Sequence, residues 1–567
     1  MTPCLPAAPL SVLLVLMDDM RADQLSLFTE TLSRVSDHAQ VYERAYVTTP
    51  MCCPDRASLL SGGYAAPQHG VLSNSGSYGG AHRFDDGTTL ATRLQGAGYH
   101  TALLGKYMNG YDALEPYVPP GWSLWWGWLD EQPWLGFEVV KGVSTATASG
   151  VGQRTPYGAY VVDAQRTEAL KLLSELDAET PSFLYLTFLA PHSPHTPALA
   201  DAGAFADFVY RGGAFMEADL SDKPEWLRAW PVLADEAQAA ADLDHQQQLE
   251  SLLSVDRAVA ALLDQLSSSG RGASTLLILT SDNGMMWGEH RLFDKGYAYE
   301  ESVRVPLLIA HPSLSPRADQ GLVAVNLDVP ALIQSVAGLP VEGEGIDLGA
   351  RLCDADAPTR DHINLQFWPV SLPQWAAVVT EEHKLIQHAT GELELYDLRT
   401  DPTEATSLHG DPDAQADITR LGALLAPGLA LTSATLPDAR VGEPYAATLA
   451  AWGGTPPYRF TLIRGALPPG LSLSAEGLIS GVPTATIETT LTVEVHDAST
   501  SAFHGGPQAH GAALGMTVGP AITLAPEGCA CGGDGAGGAA ALGLSAGLGA
   551  LARRRRAARR SAGPLAR

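Results

Sequence analysis

The sequence predicts an α/β protein built on a mostly parallel sheet flanked by helices, with a small C-terminal subdomain, followed by an all-β sandwich and a short apolar tail. Three observations predict it. Short β-rich apolar runs alternate with helical patterns as far as about residue 390, the order expected of parallel strands joined by helical crossovers. From about Leu429 the chain turns rich in Thr, Pro and Gly, with short alternating runs and no helical pattern, which reads as a small sandwich. The last forty residues change again, to a Gly/Ala-rich run closed by arginines.

Taken in order, the expected strands are Ser11–Met17, His100–Leu104, Phe183–Leu189, Leu276–Thr280 and Val305–Ala310, with helices over Thr88–Gly98, Val161–Leu176 and Leu243–Ser268. Glu394–Leu408 closes this region with a strand and a polar turn. In the sandwich the strands are Tyr445–Leu449, Tyr458–Leu462 and Leu491–Val495. At about 150 residues per domain, 567 residues make more than one unit, and the changes of character put the boundaries at 1–427, 428–520 and 521–567. After each of the first four strands the sequence turns abruptly polar: Asp18-Asp19, Gly105-Lys106, Pro191-His192 and Asp282-Asn283. Ligands of an open parallel sheet bind at the carboxyl ends of its strands, so four clusters far apart in sequence can converge on one site.

Composition sets limits on function. Hydrophobic residues make up 46%, enough for a sizeable core. Seven of the 35 Lys+Arg lie in the last fifteen residues, which carry no acid, leaving 28 basic against 63 acidic residues, net −35, over residues 1–552. A body that acidic repels a polyphosphate, which excludes general nucleic-acid binding as the main activity. The six cysteines (Cys4, Cys52, Cys53, Cys353, Cys529, Cys531) show no C-x-x-C zinc spacing. Leu10–Met17 lacks a basic flank and runs into Asp18 and Asp19 instead of a cleavage site. It reads as a buried strand, so a signal peptide is either absent or missing from this start site. At the other end, Gly535–Ala552 followed by Arg553–Arg560 has the order of an apolar segment and a cytoplasmic basic stop.

Thr48–Gly62 reads TTPMCCPDRASLLSG, and Cys52-Cys53-Pro54-Asp55-Arg56 fits the pattern C-x-P-x-R. Here the chain resembles the type I sulfatases, which have an alkaline-phosphatase-like fold. VLLVLMDDMR resembles that family's first strand with its aspartate pair, Gly105-Lys106-Tyr107 its lysine motif, and APHSPHTP (Ala190–Pro197) its histidine motif. TSDNG, followed by GEHRLFDKGYAYEESVRVPLL, resembles its metal and second-lysine motif. The resemblance covers roughly residues 10–410 and implies a sulfuric ester hydrolase. It implies conversion of Cys52 to formylglycine by a formylglycine-generating enzyme; in the hydrate, one hydroxyl attacks sulfur and the other expels sulfate by collapse to the aldehyde. It implies Ca²⁺ on Asp18, Asp19, Asp282 and Asn283 together with the modified Cys52, an oxygen set that suits a hard cation. Asp282 is the expected carboxylate beside the nucleophile. Arg56, Lys106 and Lys295 are expected to match the sulfuryl charge, and His192 to protonate the leaving group. His195 and His290 are weaker candidates for substrate contact. Cys4, Cys53 and Cys353 read as small apolar residues or disulfide halves.

One position departs from the pattern: many relatives carry histidine where this chain has Met108, which cannot accept a proton. The G-K-Y-x-N variant with the doubled cysteine resembles the N-acetylglucosamine-6-sulfatase branch and favours a sulfated small molecule or glycan as substrate. Gly454-Thr-Pro-Pro-Tyr458, Leu467-Pro-Pro-Gly-Leu471 and Gly481-Val-Pro483 resemble a bacterial Ig-like domain. Cys529-Ala-Cys531, the apolar run and the arginines resemble myxobacterial C-terminal sorting tails, implying export to the surface or outer envelope of a Gram-negative bacterium. Two other classes stand beside this reading: a phosphoester or phosphonate hydrolase of the same fold, and an inactive surface adhesion protein. The intact C-x-P-x-R context of Cys52 favours the sulfatase.

Overall fold

The apolar runs of the first half become the centre of one large mixed sheet. The computed structural model describes residues 4–6, 9–65, 69–76, 78–130, 132–177, 179–368, 372–433, 436–498 and 509–520. The sheet's ten strands are β1 (Ser11–Asp18), β2 (Ala39–Tyr42), β3 (His100–Gly105), β4 (Leu124–Trp128), β5 (Leu135–Gly142), β6 (Gln153–Tyr160), β7 (Ser182–Pro191), β8 (Thr275–Ser281), β9 (Leu307–Ala310) and β10 (Arg317–Asp319). They lie in the order β10-β2-β9-β8-β1-β7-β3-β4-β5-β6. The middle of the sheet, β8 to β4, is parallel, whereas β9, β5 and β6 join it antiparallel. β9 begins at Leu307 rather than Val305, since Pro306 has no N–H to offer a ladder. β4 to β6 were not expected: LWWGW at β4 neither alternates nor runs β-branched, and gives no period-2 signal.

All residues of β1, β7 and β8 are buried, as strands covered on both faces must be. Side chains alternate across a strand, so Val12, Leu14 and Leu16 enter one core and Leu13, Val15 and Met17 the other. The first core is covered by α1 (Cys52–Ser61), α2 (Leu90–Gly96) and α5 (Val325–Val336). The second is covered by α3 (Val161–Glu175) and α4 (Asp235–Ser268). Each such aliphatic side chain contributes about 1.5–3 kcal/mol by leaving water. α4 starts eight residues before the expected Leu243 because DEAQAAAD is helix-favouring yet has no apolar period to reveal it.

A four-stranded antiparallel sheet follows: β11 (His362–Phe367), β12 (Trp375–Thr380), β13 (His383–His388) and β14 (Leu393–Asp397). Lys384 on β13 is fully buried, its Nζ 2.8 Å from both Glu300 and Glu404 and donating to Ala298 O at 3.0 Å. This contact ties the small sheet to the loop leading out of Lys295. The C-terminal Ig-like domain has one sheet of Ala439–Arg440, Ala509–Gly519, Ile487–His496 and Arg459–Arg464, and another of Tyr445–Thr448, Leu478–Gly481 and Leu471–Leu473. Leu491, Val493 and Val495 face inward at every second position, against Phe460, Ile479 and Leu514. Cys4 and Cys353 form a disulfide. No helix among the described residues is long and apolar enough to cross a membrane. Cys529, Cys531, the run Gly535–Ala552 and the arginines Arg553–Arg560 lie outside the described residues.

Replacing Lys384 with Met should take the ammonium from the buried Glu404 and leave Glu300 to Arg304 and Tyr46. A loss of about 3–5 kcal/mol in unfolding free energy is expected, read from urea denaturation at neutral pH.

Candidate active site

Four strand ends and one helix N-terminus deliver the site. β1 ends on Asp18, and Asp19 then adopts a left-handed φ of 78°, which breaks strand alternation and lets neighbouring carboxylates serve one place. Opposite this end β7 bulges, its pairing with β1 jumping from Leu16–Thr187 to Asp18–Pro191. β3 delivers Gly105 and then Lys106, and β8 delivers Asp282 and Asn283. Gly105 has φ 125°, and a Cβ there would lie 1.8 Å from Thr187 O, so only glycine allows the strands to approach. Cys52 is the first residue of α1 and Arg56 follows one turn later, where the helix N-terminus favours negative charge.

The side chains interlock. The Cys52 thiol donates to Asp18 Oδ1 at 3.4 Å and accepts from Lys295 Nζ at 3.0 Å. Lys106 Nζ donates to Asp18 Oδ2 at 2.5 Å, and Lys295 Nζ also donates to Asp19 Oδ1. Arg56 donates through Nε to Asp282 Oδ2 at 2.8 Å, and through Nη1 to Lys106 O at 2.8 Å and to Thr187 Oγ1. Its Nη2 makes no hydrogen bond and lies 3.7 Å from Asp18 Oδ2. The carboxylate that the thiol touches is Asp18, while the charge of Asp282 also acts on it. Asp282 is held by Arg56 and by the N–H of Asp19, 3.2 Å away.

Charge and burial compete at each group. Burial alone would raise the Asp18 carboxyl, but Lys106, His192, Arg56 and Lys295 hold it well below the usual range. Asp19 is lowered too, with Lys295 as the main counterweight to burial. Burial and the Asp18 charge push Asp282 up to about 6 despite Arg56. Burial, with Asp18, also pushes the Cys52 thiol up, against Lys106 and Lys295.

One oxygen each of Asp18, Asp19 and Asp282 lie within 4.8 Å of one another. Asn283 Oδ1 is buried with no hydrogen-bond partner, while its Nδ2 donates to Asp19 Oδ1 at 2.6 Å. Three carboxylates and an orphaned amide oxygen form a donor set that fits a hard divalent cation. His192 stands at the rim, its side chain 28% exposed and Nε2 3.8 Å from Asp19 Oδ2. Its reach includes Asp18 and Cys52, the three forming a second potential ligand group.

Two histidines differ from expectation. His195 is buried one layer back, with Nδ1 2.6 Å from Pro191 O and its ring against Trp287. His290 is fully buried, with Nδ1 2.6 Å from Glu217 Oε2 and its ring on Tyr299. Neither offers surface to a substrate. Met108 packs into the first core, so no acid or base replaces it at that position. Thr187 and Gln165 were missed. Gln165 Nε2 donates to Leu104 O and Thr187 O, where β3 and β7 part, and Thr187 donates to Lys106 O. For Thr187 the signal is a threonine in the middle of the apolar run SFLYLTFLAP; Gln165, on α3, has none.

Residues 11–339 match the family model described as Sulfatase, and residues 288–426 the model described as N-sulphoglucosamine sulphohydrolase, C-terminal. Residues 428–505 match the model described as "Putative Ig domain". The chain is 29% identical over 343 residues to a "Putative extracellular sulfatase Sulf-1 homolog" of Caenorhabditis elegans, covering 58% of this chain and 47% of that protein. It is 27% identical over 355 residues to the N-acetylglucosamine-6-sulfatase of Homo sapiens, covering 59% and 62%. The chain thus spans about half the length of the curated relatives it matches. Among solved structures, BT4656 in complex with its substrate D-glucosamine-2-N,6-O-disulfate shares the fold with a TM-score of 0.63 at 20% identity, over 74% of this chain and 96% of that one. With the Sulfatase model covering more than half of its length, the chain belongs to the sulfatase family.

Proposed function

We propose that the protein hydrolyses sulfuric esters, using a formylglycine made from Cys52 and a calcium ion held by Asp18, Asp19, Asp282 and Asn283. The observation that carries this reading is Cys52 itself: the first residue of α1, in C-x-P-x-R context, with Lys295 and Asp18 on its sulfur. Cys52 is fully buried between Lys295 and Asp18, a place from which a hydrated aldehyde would present two hydroxyls. Formylglycine supplies a hydroxyl that attacks sulfur and a second that drives sulfate out, and calcium supplies positive charge and a lowered hydroxyl pKa.

The chain's own residues do the rest. Asp18, Asp19 and Asp282 are matched by Arg56, Lys106 and Lys295, so the cluster is neutral as it stands. A divalent ion makes it a net cationic pocket for a sulfate group. Lys106 and Lys295 then hold sulfate oxygens, and Arg56 keeps Nη2 for the nucleophile. His192, at the rim, delivers a proton to the leaving oxygen. A sulfated sugar is the proposed substrate, supported by the names of the relatives and by the disulfated glucosamine bound to the matching fold. The Cys4–Cys353 disulfide supports an oxidising, extracytoplasmic location, with domains at 1–427 and 428–520 and a sorting tail at 521–567.

Cys52→Ala should abolish turnover of a chromogenic sulfate ester while the unfolding curve stays close to wild type. Mass spectrometry of the wild-type peptide carrying Cys52 should show an aldehyde in place of the thiol; an unmodified thiol in active enzyme would overturn the reading. Asp19→Asn and Asp282→Asn should each lower calcium content, measured by elemental analysis, and cut turnover by at least about a hundredfold. The histidines should separate: His192→Ala should cost turnover but keep stability within about 0.5 kcal/mol. His290→Ala, removing a buried ring and the partner of Glu217 Oε2, should cost about 2–3 kcal/mol of stability. Urea unfolding run beside steady-state kinetics checks both.

A further inference from the structure

α1 begins without a cap of its own. Met51 precedes it and offers no side-chain acceptor, yet the first N–H groups of a helix need partners. The acceptor comes from a distant turn. Asn74 Oδ1 takes the Cys53 N–H at 2.8 Å, doing from outside the helix what an N-cap side chain does from within. The same turn reaches the lysine motif: Ala81 N–H donates to Asn109 O at 2.8 Å, and Asn109 N–H donates to Cys53 Sγ at 3.1 Å. It is folded on itself by Leu72 N–H and Ser73 N–H, both donating to Tyr78 O. The residue after Cys52 and the loop three residues beyond Lys106 are therefore fastened to one turn.

The other side of that turn is held by the Ig-like domain. Tyr78 donates its hydroxyl to Glu494 Oε1 at 2.8 Å and stacks on His510, ring centroids 5.7 Å apart. His510 is itself fixed by the Leu431 N–H, 2.8 Å from its Nδ1. Gly511 leaves room for the tyrosine, since a Cβ there would lie 2.3 Å from its hydroxyl oxygen. Ala65, Leu72, Tyr78, Trp368 and Ala430 make one apolar cluster across the junction, and Trp368 Nε1 donates to Leu429 O at 3.2 Å.

We propose that the Ig-like domain is a brace for the catalytic helix. Glu494 and His510 hold Tyr78, and the turn it belongs to sets Cys53 through Asn74 and the Lys106 loop through Asn109. Asn74 and Tyr78 are positioning residues: they touch no reacting atom and act through the helix and the loop. The inference rests on the reading of Cys52 and Lys106 as sulfate-handling groups, but its structural half is measurable without it.

The test uses the full chain. Gly511→Ala drives a methyl group into Tyr78 from the Ig-like side, while Gly515→Ala, on the same strand with nothing within 4 Å of its added Cβ, is the control. Glu494→Gln keeps size and shape and serves should Gly511→Ala fold poorly. Amide hydrogen exchange is followed over residues 52–61, 72–81 and 105–110, beside kcat and KM for a chromogenic sulfate ester. Gly511→Ala and Glu494→Gln should speed exchange in the turn and in the first turn of α1. In Gly511→Ala, kcat should fall about tenfold, the size of a small misplacement of a reacting group, with KM within about twofold. Gly515→Ala should match wild type. Unchanged exchange in α1 for both Gly511→Ala and Glu494→Gln, or equal effects from Gly515→Ala, overturns the brace. A wild-type protein that turns over no sulfate ester defeats the catalytic reading instead, and exchange still decides the brace.

Discussion

Six charges held out of water at one end of a parallel sheet are the constraint on which the rest of the molecule depends. Asp18, Asp19, Asp282, Arg56, Lys106 and Lys295 are all almost fully buried, and each would cost several kcal/mol alone. They are tolerable together because every carboxylate has a cation within contact and every cation has at least one carboxylate. That arrangement demands local backbone forms a regular sheet does not supply. The left-handed Asp19, the bulge in β7 and the glycine at 105 are the places where the sheet gives way to let the charges meet.

The parallel centre of the fold was legible because its strands are buried on both faces and written as unbroken apolar runs. Ser11–Met17 and Leu276–Thr280 were found to within a residue at each end. The antiparallel flank was not, because LWWGW and QRTPYGAY carry no period that separates a strand from a loop. The same division holds at the site. Charged residues directly after strands announced themselves, and the motif resemblance put Cys52, Arg56 and Lys295 beside them. Which carboxylate stands against Cys52 depends on side-chain directions at a bulge and a left-handed residue, and no sequence pattern encodes those. Thr187, Gln165 and Asn74 act through carbonyls and amides of other segments, so their meaning exists only once the segments are adjacent.

The two β-rich parts of the C-terminal half do different things to the first. β11 to β14 reach the Lys295 loop from one side, through Lys384 and through Trp375 Nε1, which donates to Gly296 O at 3.0 Å. The Ig-like domain reaches the segment after α1 from another, through Tyr78 and Trp368. The large sheet and its helices thus carry the charge cluster while two of their connecting segments take part of their support from the small sheet and the Ig-like domain. Loops carrying chemistry are the least self-sufficient parts of a fold, and here each of these two has an outside partner.

β1 is made first and sits in the middle. Its neighbours are β7 and β8, which leave the ribosome some 170 and 260 residues later. Contacts of such long sequence separation form slowly, and the first strand has to wait for partners not yet synthesised. Until β8 arrives there is no Asp282 for Arg56, one turn along α1 from Cys52. In the folded chain Cys52 has no exposed surface. An enzyme that altered its sulfur, as the proposed function requires, would have to reach it before this packing closes over it.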